Sequence, residues 1–255
     1  MGVGLDIGST TAKGVLIDST GRVIASHLQM TGASAPRSVE SILSALKETS
    51  DLDLFDIPTI STGYGRNIVE IATDTVTEIT CHAVGISRLN PEIRFIVDVG
   101  GQDSKVMRLG SNGRPADFEL NDKCSAGTGR FLEVMARVLE VSIEELGPLA
   151  LESQAPCTIS STCTVFAESE VVGRIGAGET PTDIAAGVHL AMASKIGSLA
   201  RRVGIKEPIC ITGGVAKNPA FRHYLSKELG GELWVPENPQ LTGALGAAYL
   251  ALERH

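Results

Sequence analysis

The sequence is poor in aromatic residues. Phe, Tyr and Trp make up 4% of its 255 residues, which argues against a stacking platform for single-stranded nucleic acid. It has no run of basic residues. Lys plus Arg number 22 against 30 Asp plus Glu, a formal net charge of −8, so neither nucleic acid nor anionic lipid is an expected partner. No apolar stretch reaches the ~18 residues of a membrane span. The opening MGVGLDIGST lacks a basic segment followed by a long apolar one, and Asp6 stands where a myristoylation site needs Ser or Thr. A soluble, cytoplasmic protein is the expectation. Cysteine is sparse: Cys81, Cys124, Cys157, Cys163 and Cys210 form an odd set with no CxxC pair. A disulfide framework is not expected, which leaves metal, redox or core roles.

Glycine, by contrast, is abundant at 28 residues, and it clusters after apolar runs. VGLDIG, AKGVLID and VIASHLQM read as strands. So do RFIVDVGG, SKVMRLG and EPICITGG, the first and last of which end in a glycine pair. Apolar residues at helical spacing mark 35–49, 81–89, 126–139, 164–175, 181–203, 217–229 and the last dozen or so residues. This mixture predicts the α/β class. No segment is of low complexity and no Pro/Ser-rich linker interrupts the chain. The expected division is an N-terminal lobe over 1–92 and a second lobe over 93–255, with the last helix free to pack back on the first.

A weak repeat organises the glycines. DIGSTTAKGVL begins at Asp6, and DVGGQDSKVMR begins at Asp98. Each follows an apolar run and has Gly two residues after its Asp (Gly8, Gly100) and Lys seven residues after it (Lys13, Lys105). Two matching hairpins are predicted, each with Asp at the end of a strand. Backbone N–H groups at such turns cradle anionic oxygens. Ser9, Thr10 and Thr11 add hydroxyl donors, Lys13 adds charge, and Gly101 and Gln102 extend the second turn. Asp6 and Asp98 would hold Mg²⁺ through water, and Gln102 is placed to orient an attacking water. The pattern is neither a P-loop nor a GxGxxG fingerprint.

These motifs resemble those of the actin, sugar-kinase and heat-shock-chaperone ATPase superfamily. DIGSTTAK and DVGGQDSK look like its two phosphate motifs, ITGGVAKN (211–218) like its adenosine motif, and TGALGAA (242–248) like its second connecting motif. The resemblance implies a two-lobed actin-like fold with ribonuclease H-like lobes and a nucleotide cleft between them, and ATP or ADP as ligand. It makes Gly213, Gly214, Val215 and Asn218 nucleotide contacts. A strand ending in a glycine pair leaves no Cβ in the way of the adenosine.

The middle of the chain narrows the family. NDKCSAGTGRFLEVMA (121–136) and SSTCTVFAESEVV (160–172) are similar to the ATP-dependent activators of 2-hydroxyacyl-CoA dehydratases, relatives of the ATPase subunits of benzoyl-CoA reductase. TGYGR (62–66) and EITCHAVG (78–85) agree. That family implies a homodimer holding one [4Fe–4S] cluster, a ferredoxin or flavodoxin as electron donor, and a CoA-thioester dehydratase or reductase as partner. Cys124 and Cys163 each precede an amphipathic helix, where a helix dipole stabilises a thiolate. Two cysteines from each of two copies then supply the four ligands a cluster needs. Cys157 is an alternative ligand. Cys210 reads as a core residue, and Cys81 as a residue that opens a helix and packs inside. A small-molecule kinase or a nucleotide-dependent regulator on the same fold are the rival readings, in which Cys124 and Cys163 have no purpose.

Overall fold

A computed structural model of the chain describes residues 1–160 and 163–254; Ser161 and Thr162 of the SSTC motif lie outside the described residues. In chain order the elements are β1 (Gly2–Ile7), β2 (Thr11–Ile17), β3 (Val23–Met30), α1 (Ala35–Ser50), β4 (Thr59–Thr62), β5 (Asp74–Thr75), α2 (Glu78–Leu89), β6 (Phe95–Val99), β7 (Ser104–Leu109) and β8 (Pro115–Asn121). There follow α3 (Gly129–Val138), α4 (Ile143–Leu151), α5 (Thr164–Gly176), α6 (Pro181–Val203), β9 (Ile209–Thr212), α7 (Pro219–Leu229), β10 (Leu233–Trp234) and α8 (Thr242–Glu253). The strands form two five-stranded sheets, β3-β2-β1-β4-β5 and β10-β9-β6-β7-β8. Among the described residues no helix is long and apolar enough to cross a membrane.

The chain divides into two compact units. The first comprises Met1–Ile93, Leu109–Ala116 and Gln240–His255; the second comprises Arg94–Arg108 and Asp117–Pro239. In the first unit α8 runs TGALGAAYLALE and is buried from Thr242 to Ala248. An α-helix of small residues can approach a sheet and another helix closely, because no large side chain holds them apart. A Cβ at Gly4 or Gly85 would run into the backbone carbonyls of Ala244 or Thr242, so β1 and α2 each meet α8 backbone to backbone.

In the second unit one core joins the sheet to α3–α7. It includes Phe95, Phe131, Met135, Ile184, Met192 and Phe221, all buried. Burying each such side chain stabilises the fold by about 1.5–3 kcal/mol. α5 adds Ala167 and Val171 to this core, while Val165, Phe166 and Val172 face outward.

Several local features differ from the sequence expectations. α2 begins at Glu78 under a Thr77 cap, so Cys81 lies inside its first turn. The helix expected from 126 begins at Gly129. α4, β8 and β10 are additional. α4 carries a capping box in which Ser142 and Glu145 satisfy each other's backbone N–H groups, and Pro148 inside it disguised the helical pattern.

Candidate nucleotide and cysteine sites

The repeat folds as two hairpins with the same register. β1 pairs antiparallel with β2 so that Asp6 faces Lys13, and β6 pairs with β7 so that Asp98 faces Lys105. Directly opposed residues in an antiparallel pair carry their side chains on the same face. A spacing of seven around a tight turn therefore brings carboxylate and ammonium together. Lys13 Nζ donates to Asp6 Oδ2 at 3.0 Å, and Lys105 Nζ donates to Asp98 Oδ2 at 3.3 Å. The turns match as well. Gly8 N–H donates to Thr11 O at 3.1 Å, and Gly100 N–H donates to Asp103 O at 3.0 Å.

The hairpins differ in how their carboxylates are satisfied. Asp98 Oδ1 accepts from the Thr212 hydroxyl at 2.8 Å, and Lys105 also reaches Asp103 Oδ2 at 2.8 Å. Asp6 is 3% exposed, and its Oδ1 has no hydrogen-bond partner among the described residues. A buried carboxylate oxygen without a donor is costly, at about 1–3 kcal/mol. A water held on a divalent cation would satisfy it, so Asp6 fits the role of an outer ligand to Mg²⁺. Of the turn residues, Ser9 and Gln102 are exposed, and Gly8, Thr10, Thr11, Gly100 and Gly101 are half-buried.

The adenosine-like motif follows β9. Gly213 has φ of +84°, and a Cβ there would meet the Val99 backbone: its nitrogen at 3.0 Å and its carbonyl closer still. This glycine is thus required by the chain's own turn against β6. Gly214 is exposed, whereas Val215 is buried in the core of the second unit. Asn218 caps α7, its Oδ1 accepting from Phe221 N–H at 2.9 Å. Gly213→Ala is expected to destabilise the protein by about 2 kcal/mol or more, from the left-handed backbone penalty plus the clash with Val99. Urea unfolding without nucleotide measures it. An unchanged midpoint would refute the packing role.

The cysteines separate by environment. All five are free thiols. Burial pushes Cys81 up to about 12 and Cys210 well above the ordinary thiol range; both are core residues. Cys157 is pushed up to about 11, first by burial and then by a hydrogen bond with Glu179. Glu179 also pairs with Arg174 at 2.7 Å, and Arg174 pairs with Glu170 at 3.3 Å. Glu170 in turn accepts from Ser160 N–H at 2.6 Å. These contacts link Ser160 to α5.

Cys163 is the N-cap residue of α5, in extended backbone conformation and with no side-chain cap bond. Cys124 corrects the sequence expectation: the cap of α3 is Thr128, and Cys124 lies upstream of it in a loop. The first amides of α3 are already engaged, with Gly129 N–H and Arg130 N–H donating to Gly100 O and Gly101 O, each at 2.8 Å. The dipole argument therefore applies to Cys163 and not to Cys124. Next to Cys163, the buried Thr164 hydroxyl has no partner among the described residues. An unmatched donor beside a helix N-terminus suits an anionic sulfur group. Among the described residues no group of three or more His, Cys, Asp or Glu is placed to hold a metal ion.

Residues 3–251 match the BadF/BadG/BcrA/BcrD ATPase family. The chain belongs to that family. It is 44% identical to the 2-hydroxyisocaproyl-CoA dehydratase activator of Clostridioides difficile, over 98% of this chain and 94% of the relative. The solved activator of the 2-hydroxyisocaproyl-CoA dehydratase from Clostridium difficile, with bound ADPNP, is 43% identical. It superposes with a TM-score of 0.92 over 99% of this chain and 94% of that one. Component A of the Acidaminococcus fermentans (R)-2-hydroxyglutaryl-CoA dehydratase is 41% identical, with a TM-score of 0.95 over 99% and 98%. The α/β architecture with two five-stranded sheets is that of the actin-like ATPases and sugar kinases, as the motifs implied. Sequence reasoning missed four polar contacts in this member of the BadF/BadG/BcrA/BcrD ATPase family: Thr212 with Asp98, Asp103 with Lys105, Asn121 with the Cys124 loop, and His82 with Thr242 (3.0 Å) in the first unit. Each joins residues distant in sequence or sits in an ordinary turn, except the Asp103–Lys105 pair, which was open to inspection.

Proposed function

We propose that this chain is an ATP-hydrolysing activator that delivers single low-potential electrons to a partner 2-hydroxyacyl-CoA dehydratase or a related CoA-thioester reductase. The observation that supports it most is the fate of the cysteines. In a chain that matches named dehydratase activators from end to end, Cys81 and Cys210 are buried, and the half-buried Cys157 packs against the core of the second unit. Cys124 and Cys163 are half-buried too, but are not packed in that core.

In this reading the hairpins bind the phosphates. Gly8 to Thr11 and Gly100 to Gln102 offer N–H and hydroxyl donors, and Asp6 and Asp98 organise Mg²⁺ and water. Gln102 orients the attacking water, and hydrolysis yields ADP and phosphate. Lys13 and Lys105 hold the two carboxylates in place beside their turns. Gly213, Gly214, Val215 and Asn218 form the adenosine side. Cys124 and Cys163 hold a [4Fe–4S] cluster together with the same pair from a second copy, which makes the protein a homodimer. The cluster supplies one-electron transfer when bound, with a ferredoxin or flavodoxin as its donor. Cys163 contributes a thiolate at the start of α5, where the helix N–H groups favour negative charge.

Anaerobic reconstitution followed by iron analysis, a visible spectrum and light scattering tests the reading. A brown homodimer with about four irons is expected. A colourless protein that binds ATP would overturn it in favour of a kinase or a regulator.

A further inference from the structure

We propose that Asn121 is a positioning residue that ties the loop of Cys124 to the second phosphate turn, so that the state of that turn is felt at the thiol. The proposal rests on the function just proposed and names the residue through which nucleotide reaches the cysteine within one unit.

The loop leaves β8 at Asn121 and enters α3 at Gly129. Its middle is open: Asp122, Lys123 and Ser125 are exposed. It is held at its two ends, and both ends grip the same hairpin. At the first end, Asn121 Nδ2 lies 2.9 Å from Cys124 O, 3.2 Å from Ala126 O and 3.3 Å from Ser104 Oγ. An amide nitrogen has two protons, so three acceptors mean that one bond is shared. The side chain therefore fixes the carbonyl of Cys124 itself and, with the same nitrogen, reaches the hairpin. Ser104 is fully buried, pairs with Val99 in the ladder and precedes Lys105, the partner of Asp98 and Asp103.

At the second end, Gly129 and Arg130 donate their N–H groups to Gly100 O and Gly101 O. The first amides of a helix have no acceptor within it, and here the phosphate turn provides one. The fit has no slack, since a Cβ at Gly129 would lie 3.2 Å from Gly100 O and 3.3 Å from Gly101 Cα. A displacement of Gly100 or Gly101 must carry the start of α3 with it. Asn121 keeps the other end of the loop fixed to Ser104, which is not at the tip of the turn. The loop is thus strung between the tip of the turn and the ladder behind it, and Cys124 lies between them.

The test uses the full chain in its reduced, iron-free form, so it does not depend on the cluster. Alkylation of each cysteine by iodoacetamide is followed by peptide mass spectrometry with no nucleotide, with ADP and with ADPNP. The buried Cys210 serves as internal control. In the wild type, ADPNP is expected to change the Cys124 rate by at least about fivefold, the lower edge of ordinary coupling energies. In Asn121→Ala that ratio should collapse towards one, with ADP affinity kept within about twofold, as for a substitution away from the ligand. A merely structural role for Asn121 would raise the Cys124 rate equally with and without nucleotide and leave the ratio intact, which overturns the proposal. So would a wild-type ratio of one at saturating ADPNP. Should Asn121→Ala not fold, Asn121→Asp keeps the shape, loses both donors and carries the same prediction. Calorimetry that shows no nucleotide binding by the wild type would instead overturn the nucleotide reading on which this one rests.

Discussion

Cys124→Ala and Cys163→Ala should each strip essentially all the iron from the protein, leaving it colourless and unable to pass an electron. If both copies contribute the same two cysteines, one substitution removes two of the four thiolates, and a cluster with half its ligands does not assemble. The loss is therefore expected to be complete and not half. Folding should survive, because both side chains are half-exposed and neither belongs to a core cluster. Nucleotide binding should survive as well, since the hairpins and the Gly213 turn are built by other residues. Cys157→Ala and Cys210→Ala should keep full iron. Cys157 packs against the core of the second unit and Cys210 is buried in β9. Iron per dimer across these four variants decides the ligand set. Four irons remaining in Cys124→Ala or Cys163→Ala would show that the wrong thiols have been assigned. Loss of iron in Cys157→Ala would bring that residue into the set.

The parts of this arrangement that were legible in the sequence are those governed by short spacing. Asp and Lys seven apart around a glycine turn must face each other in a ladder, so the Asp6–Lys13 and Asp98–Lys105 hairpins follow from spacing alone. The same register puts each lysine on its own carboxylate. Lys13 pairs with Asp6, a contact that the phosphate motif did not suggest. Asn121, by contrast, was invisible. Asn in a loop reads as an ordinary turn former, and its value comes from Ser104, distant in sequence and joined to it only by the pairing of sheet strands. Cys124 misled in turn: the apolar pattern of α3 reaches back to Ala126, but the chain does not enter the helix until Thr128 caps it. α4 was in principle readable from the SIEE capping signal at Ser142. β8 was not, because most of PADFELN is exposed and alternation is weak.

Asp98→Asn is expected to lower ATP hydrolysis by about a hundredfold or more, the loss that follows when a charged group organising a metal ion and its water is neutralised. The same substitution should leave ADP binding within about tenfold, or 1.4 kcal/mol. The surroundings of Asp98 make this a clean experiment. Asn keeps the size of the side chain, and its oxygen can still accept from the Thr212 hydroxyl that now meets Oδ1 at 2.8 Å. Lys105, which is 4% exposed, keeps a carboxylate in Asp103 at 2.8 Å, so no buried ammonium is stranded. The stability cost should stay near about 1–3 kcal/mol, that of one mismatched buried polar contact. Asp6→Asn is the poorer choice, because Lys13 would lose its carboxylate partner, and folding and chemistry would fall together. Steady-state phosphate release and ADP calorimetry on folded Asp98→Asn separate the two effects. Wild-type turnover in that variant would remove Asp98 from the catalytic centre, and with it the equivalence of the two hairpins on which the assignment of Asp6 also depends.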